Sequence, residues 1–358
     1  MSHYHRCRGA VTTGPDQPLR IVEIEVPAPQ ADEVLIKVTA CGLCHSDLHY
    51  MDGSSGVDYP YLVGHEISGV VHEIGPEVVD LTVGDQVVVA LIVSCGECVD
   101  CKRGRGVRCV NKMPRHRAPR LPDGTELTPV LGAGGLAELV LMNRQHVALR
   151  PLSLDAGLSA LLGCGVPTGF GAAVNTGEVT AGDRVAVIGC GGVGLSAIAG
   201  AQAAGAAHVT AFDFEPAKRA LASEFGADVT VDGAHWARRP ELLSSFDIVI
   251  DAVGGDGPLQ QAIALTRPGG RIVAPGAPRS DEISAVALRP VFLKRLEYHV
   301  SHWGDCVPSR DFPEIARLVA EGSFPLEKYR SEIVDLDGAA EAYERLRRGE
   351  VLRSIVMM

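Results

Sequence analysis

The 358-residue sequence has no excess of positive charge: 33 Lys and Arg face 44 Asp and Glu, a formal net charge of −11. That argues against a nucleic-acid binder, which needs positive surface to meet phosphates. The opening "MSHYHRCRGAVTTGPDQPLR" lacks an apolar h-region, so no signal peptide is expected. A cytoplasmic location follows as the expectation, in a reducing compartment where disulfides are rare. No internal repeat or low-complexity segment stands out. Val185 to Ala207 contains no charged residue, a length that could suggest a membrane span. Its glycines and the flanking Asp183 and Asp213 suit a buried strand, turn and helix better. Neither nucleic acid nor membrane is therefore an expected partner. With 46% hydrophobic and 22% charged residues, a chain of this length reads as a soluble two-domain protein.

Cysteine, by contrast, is concentrated. "CGECVDCKRGRGVRC" holds Cys95, Cys98, Cys101 and Cys109 as C-x2-C-x2-C-x7-C. Four soft thiolates supply a closed tetrahedral zinc site with no open position for chemistry. Gly96, Gly104 and Gly106 would let the lobe fold around the ion. An iron–sulfur cluster is the main rival, but the spacing matches neither common ferredoxin pattern; redox thiols or coincidence would also account for the cluster. Lys102, Arg103, Arg105, Arg108, Lys112, Arg115, Arg117 and Arg120 make the region from 101 to 120 basic. A solvated face explains such a run better than an acidic-ligand site.

A closed metal site explains no activity, and three other stretches offer chemistry. "ACGLCHSDLHY" carries Cys44, His45, Ser46, Asp47 and His49, and "VGHEISGVV" carries His65 and Glu66. In "LLGCGVPTGFGAAVNTG", Cys164 lies among glycines that would allow a ligand to approach the backbone closely. Each residue also has an ordinary reading. Cys164 could be a small buried hydrophobe, Asp47 a helix cap, and His45, Ser46, His49 and Arg353 plain surface residues.

From residue 183, "DRVAVIGCGGVGLSAIAGAQAAGAAHVTAFD" reads as strand, glycine turn, helix and strand. Gly189, Gly191 and Gly194 form G-x-G-x-x-G, with Gly192 and Val193 opening the helix. Asp213 ends the next strand, 19 residues beyond Gly194, where a carboxylate accepts from an adenosine ribose and repels a 2′-phosphate. NAD is thus expected before NADP. Further apolar runs at "ADVTVD", "FDIVIDAVG", "GRIVAPG" and "EYHVSHW" bring the count to six strands of a parallel, doubly wound sheet. "VLRSIVMM" looks like a terminal strand that rejoins the first domain.

Over nearly its whole length the chain resembles the zinc-containing medium-chain alcohol dehydrogenases, with "CGLCHSD", "GHE", the four-cysteine lobe, "GCG", "GCGGVG" and "VLRS" in family order. "GCGVPTGFGAAVNTG" and "WGDCVPSRDFP" are most similar to S-(hydroxymethyl)mycothiol dehydrogenases and related actinobacterial alcohol dehydrogenases. The resemblance implies an α/β fold: a GroES-like, mainly-β catalytic domain of residues 1–164 and 301–358, and a Rossmann domain of 165–300. It implies catalytic zinc on Cys44, His65 and Cys164 with one position open, and Glu66 behind it. Asp47 would orient His65, Ser46 would take the alcohol proton and pass it toward His49, and His45 and Arg353 would lie against the pyrophosphate of NAD. Two zinc ions per chain and a small alcohol or aldehyde substrate, or a thiol–formaldehyde adduct, are expected. So is a homo-oligomer, a dimer ahead of a tetramer.

Met113 stands where glutathione-linked relatives usually carry arginine, which disfavours a glutathione adduct. Leu91, at a position often aromatic in relatives, implies a wider apolar pocket. An NADPH-dependent reductase stays open as a second reading, because Lys218 and Arg219 could meet a 2′-phosphate. A non-enzymatic zinc protein would be expected to have lost a ligand or the glycine turn.

Overall fold

The computed structural model describes residues 4–91, 94–95, 97–103, 106–109, 117–276 and 283–358. Gly96, Gly104, Arg105, Lys112, Met113 and Arg115, each of which carries an expectation from the sequence, lie outside the described residues. The chain divides into two compact units: 1–164 with 308–316 and 326–358, and 165–307 with 317–325.

The first unit opens with β1 (Tyr4–Thr12), β2 (Arg20–Pro27), β3 (Glu33–Gly42), α1 (His45–Met51), β4 (Tyr61–Leu62), β5 (Glu66–Ile74) and β6 (Gln86–Val89). It continues with α2 (Val99–Lys102), β7 (Thr128–Pro129), β8 (Leu139–Asn143), β9 (Val147–Leu149) and α3 (Ala156–Ala160). The second unit holds α4 (Gly165–Gly171), β10 (Arg184–Ile188), α5 (Gly192–Ala203), β11 (His208–Asp213), α6 (Pro216–Glu224) and β12 (Val229–Asp232). There follow β13 (Phe246–Asp251), α7 (Asp256–Leu265), β14 (Thr266–Ala274), α8 (Leu288–Lys294) and β15 (Glu297–Val300). The chain ends in α9 (Pro308–Ala320), β16 (Arg330–Asp335), α10 (Ala339–Arg347) and β17 (Arg353–Met357).

In the first unit a four-stranded sheet runs β2-β1-β4-β7, and a seven-stranded sheet runs β16-β17-β3-β5-β6-β9 with β8 paired to β3. β3 alternates between two cores: Val34, Ile36 and Val38 enter one hydrophobic cluster and Leu35 the other. A period of two thus lets one strand serve both. β17 pairs antiparallel with β3 through Ile355↔Gly42 and Val356↔Cys41, so the terminal strand does rejoin the first unit.

The second unit is one six-stranded sheet ordered β12-β11-β10-β13-β14-β15, every pairing parallel. This is the doubly wound order, whose ligand crevice opens beyond the strand ends beside β10. The uncharged stretch from Val185 resolves into β10, a turn and α5, which is buried on nearly all sides. Among the described residues no single helix is long and apolar enough to cross a membrane.

The return to the first unit comes later than residue 301 and is interrupted. Ser301 N–H donates to Ala274 O (3.0 Å) and Asn175 Nδ2 donates to Gly304 O (3.0 Å), which holds 301–307 in the second unit. Phe324, fully buried, meets Phe170 and Phe225 at ring distances of 6.4 and 6.3 Å and holds Arg317–Pro325 there too.

Two of the glycines after Cys164, Gly169 and Gly171, are packing devices rather than openings for a ligand. A Cβ at Gly169 would lie 1.9 Å from Val193 O, and one at Gly171 would lie 1.9 Å from Gly304 O. Backbone meets backbone at both points, which only glycine allows. Gly169→Ala should therefore force α4 off α5 at a cost of about 1–3 kcal/mol. The expected outcome is a fall in Tm of roughly 2–12 °C by calorimetry; an unchanged Tm would contradict the close packing.

Candidate active site and metal centres

The residues expected to do chemistry converge on the start of α1 and the start of β5. Cys44 precedes α1 in an extended conformation (φ −119°, ψ 151°), which turns its side chain inward while the helix departs. Its backbone N–H donates to Asp47 Oδ2 (3.3 Å), while Asp47 Oδ1 accepts from Gly64 N–H (3.0 Å) and stands 2.9 Å from His65 Nδ1. Asp47 is fully buried and performs both of the roles that its sequence position allows: it caps α1 and it fixes the imidazole.

Donor atoms of Cys44, His65, Glu66 and Cys164 all lie within 4.8 Å of one another. His65 Nε2 is buried and makes no hydrogen bond of ordinary geometry among the described residues. A sealed imidazole nitrogen aimed at two sulfurs is the donor chemistry of a borderline-soft cation such as zinc, so the residues fit that ion. Two thiols and one imidazole supply three ligands; Glu66 is a fourth oxygen donor within reach.

Electrostatics agree with this geometry. The hydrogen bond from Cys164 pulls the Cys44 thiol well below its ordinary pKa against the opposing effect of burial, with Arg353 and His65 assisting. Cys164 is pushed well up by its hydrogen bond with Cys44 and by burial. Burial disfavours a charged His65 ring, but the Asp47 carboxylate, followed by Cys44, outweighs it and raises the ring's pKa well above the usual value. Arg353 is only 4% exposed. Burial opposes its charge, yet the Cys44 thiolate and the Glu66 carboxylate hold its pKa above the ordinary value. Its Nε lies 3.6 Å from Glu66 Oε2 and its Nη2 3.7 Å from Cys44 Sγ. Arg353 is thus no surface cation; expected beside a pyrophosphate, it lies in this structure against the carboxylate and thiol of the cluster.

The remaining α1 residues are more accessible. Ser46 is half-buried with its hydroxyl 3.7 Å from Cys44 Sγ. His45 and His49 are exposed, and His49 Nδ1 lies 3.2 Å from the Ser54 hydroxyl. Two residues that sequence reasoning missed complete the surroundings. A Cβ at Gly42 would fall 2.3 Å from Glu66 Oε2, so that glycine makes room for the carboxylate. Tyr343 of α10 is fully buried, and burial together with the neighbouring Asp47 charge raises its phenol well above the usual pKa. The first could have been suspected from Gly42 closing β3 just before the "LCHSD" turn; nothing local signals the second. Leu91 is half-buried against the core of the first unit.

In the lobe, Cys98 caps the one-turn helix α2, Cys101 rides on it and Cys109 follows the 3-10 turn Gly106–Arg108. Sulfur separations are 3.4 Å for Cys98–Cys101, 3.9 Å for Cys95–Cys101 and 4.0 Å for Cys98–Cys109. Thiolates at about 2.3 Å from a tetrahedral zinc stand about 3.8 Å apart, so this set also fits the ion, whereas a disulfide requires about 2.0 Å. Of the basic residues nearby, Arg117 binds Glu33 at 2.7 Å and Arg120 binds Glu25 at 2.8 Å and stacks on Tyr4, while Lys102, Arg103 and Arg108 are exposed. The described part of the basic run therefore serves ion pairs and solvent.

In the second unit, β10 ends at Ile188, Gly189 with a φ of +87° turns the chain sharply, and Gly191 precedes α5. A Cβ at Gly194 would lie 1.8 Å from Gly189 O, whereas one at Gly191 would meet nothing within 4 Å. The third glycine therefore seats the helix and the second faces open space at the helix N-terminus, together with Gly192 and Val193, an arrangement suited to a diphosphate. Asp213, at the end of β11, accepts from Cys190 N–H (2.8 Å) and Glu215 N–H (2.9 Å), one to each oxygen. Lys218 is half-buried on α6, and Arg219 donates to the carbonyls of Asp213 and Phe214, both at 2.8 Å.

Residues 30–152 match the alcohol dehydrogenase GroES-like domain and residues 192–321 the zinc-binding dehydrogenase family. The chain is 32% identical to S-(hydroxymethyl)glutathione dehydrogenase of Haemophilus influenzae, over 98% of this chain and 97% of that one. It is 31% identical to NDMA-dependent alcohol dehydrogenase of Amycolatopsis methanolica, over 98% and 99%. The crystal structure of an alcohol dehydrogenase zinc-binding domain protein from Burkholderia ambifaria superposes with a TM-score of 0.92 at 29% identity, covering 99% of this chain and 100% of that one. With its GroES-like unit and its parallel nucleotide-fold unit, this chain belongs to the zinc-binding alcohol dehydrogenase family.

Proposed function

We propose that this alcohol dehydrogenase binds two zinc ions per chain, one closed on Cys95, Cys98, Cys101 and Cys109 and one reactive on Cys44, His65 and Cys164, and that its hydride acceptor is NAD. The observation that carries the reading is the gathering of two thiols and a buried imidazole nitrogen within 4.8 Å, beside a separate four-thiol set. Three protein ligands leave a position for substrate, whereas four do not. Zinc at the three-ligand site supplies Lewis-acid stabilisation for negative charge developing on a substrate oxygen, and NAD supplies the carbon that takes the hydride.

The chain's own residues have distinct tasks. Asp47 holds the His65 ring in register through Nδ1 and leaves Nε2 for the metal. Arg353 and Glu66 place a compensating pair of charges beside the thiolates. Ser46 takes the alcohol proton, and His49, one turn further along α1 on the solvent side, passes it out. Gly191, Gly192, Val193 and Gly194 carry the diphosphate at the start of α5. Asp213 retains lone pairs beyond its two backbone bonds and accepts from the ribose hydroxyls. The NADPH reading rests on Lys218 and Arg219, but Arg219 already holds two carbonyls. Substrates to test are primary and secondary alcohols and hydroxymethyl thioethers, the latter because a relative is an S-(hydroxymethyl)glutathione dehydrogenase.

The chain is also proposed to form a dimer through the open edge of the six-stranded sheet. β15 is an edge strand, and Tyr298, Val300, Phe292 and Leu293 expose 56%, 69%, 80% and 62% of their surface on it and on α8. An exposed apolar edge either pairs or aggregates, and a two-fold pairing with a second copy closes it.

Metal analysis should find two zinc ions per chain. Cys98→Ser should lose one and lower Tm, while Cys44→Ser should abolish turnover and keep the lobe ion. Asp213→Ala should raise the KM for NAD about tenfold or more with little change in kcat, because the ribose contact is made in ground and transition states alike. Tight NADP use by the unmodified enzyme would reverse the cofactor assignment. Ser46→Ala should slow hydride transfer about 100-fold or more. His49→Gln should be milder and be partly rescued by imidazole; an unchanged single-turnover rate would make His49 a bystander. Sedimentation should give a dimer at micromolar concentration and a monomer for Val300→Lys with Phe292→Glu; a monomeric parent would dismiss the edge pairing.

A further inference from the structure

The geometry points to a third metal site, remote from the cysteine sets, in which His5, His72 and Glu73 of the first unit bind a divalent transition-metal ion. One ligand atom from each lies within 4.8 Å of the others. His5 Nε2 and Glu73 Oε1 are 3.2 Å apart, and the two imidazole rings meet edge to face with centroids 5.9 Å apart.

The backbone explains how neighbouring residues reach the same ion. In a regular strand His72 and Glu73 would point to opposite faces. β5, however, pairs with β3 through Ile36↔Val71 and then Leu35↔Glu73, so His72 is an extra residue with no partner on β3. Such a bulge suspends the alternation and re-aims side chains. His5 comes from β1 of the other sheet, where it pairs with Val26. The cluster thus joins two sheets, which a simple surface ion pair within one strand would not do.

The donor set decides the ion. Two imidazoles and one carboxylate suit zinc, copper(II) or nickel(II) rather than calcium or magnesium, which take oxygen shells. Ligands at about 2.0–2.1 Å from a tetrahedral zinc stand about 3.3 Å apart, and the His5–Glu73 pair already has that spacing. His72 is exposed and can rotate inward to complete three ligands, with water in the fourth position. The chain's charge of −11 favours cation approach. Bound metal would clamp β1 to β5, so it would stabilise the fold without entering the reaction.

The test uses the purified enzyme in full zinc-loaded form. Titration calorimetry with ZnCl2 should reveal one further equivalent of micromolar affinity, and Tm should rise as it fills. His72→Ala, at an exposed position, should keep turnover, lose that equivalent and lose the rise in Tm; Glu73→Gln should weaken binding about tenfold or more. The same extra equivalent in both variants, or none in the parent, would overturn the site and leave His5–Glu73 as an ion pair alone. Because the cysteine sets are loaded beforehand, their occupancy and the alcohol dehydrogenase reaction are read separately.

Discussion

The first unit is organised around one buried carboxylate. Asp47 is wholly shielded from solvent, and its two oxygens meet the N–H groups of Cys44 and Gly64 and the Nδ1 edge of His65. A buried charge without such partners would cost several kcal/mol, so the three contacts are conditions for its presence. Because they come from the start of α1 and from the turn into β5, they also lock the segments that carry Cys44 and His65 together. The positions of Cys44 and His65 are consequences of how Asp47 is satisfied.

A second constraint comes from the far end of the chain. Arg353 sits at the head of β17, and pairing of β17 with β3 at Gly42 and Cys41 sets the guanidinium beside Glu66 and Cys44. The cluster gathers two thiol groups and a carboxylate in a buried place, and Arg353 is the cation lying among them. This gives the last strand a reason to return to the first unit. Gly42 belongs to the same arrangement, because any side chain there would displace the Glu66 carboxylate.

Much of the fold was legible because its signals are local. Each strand of the parallel sheet is a short apolar run, and Gly189 with φ +87° marks the turn that follows the first of them. The candidate ligands were legible as residue types in family order, but not the contacts that surround them. Whether Asp47 capped a helix or held a histidine could not be decided from spacing, since one carboxylate has oxygens enough for both. Arg353 read equally well as a surface cation because its burial depends on pairing with β3, near the other end of the chain. The glycines after Cys164 suggested ligand access, while the role of Gly169 was fixed by α5 and that of Gly171 by Gly304. The return of the chain at about 301 was misplaced for the same kind of reason: Phe324 finds its partners at Phe170 and Phe225, and no periodicity announces them. The bulge at His72 was invisible because a bulge is a property of pairing.

The two thiols of the central cluster are chemically unequal although both face the same space. The hydrogen bond from Cys164, assisted by Arg353, draws the Cys44 thiol well below its ordinary pKa, while that hydrogen bond and burial push Cys164 well up. Burial opposes charge on the His65 ring, but Asp47 and then Cys44 raise its pKa well above the usual value. The space between the sulfurs and the ring therefore favours positive charge. A divalent cation held there would meet Asp47 on His65, and the pair formed by Glu66 and Arg353, already in place around it. Because Cys164 and His65 would have to give up protons to bind such an ion, its affinity would fall as the pH falls.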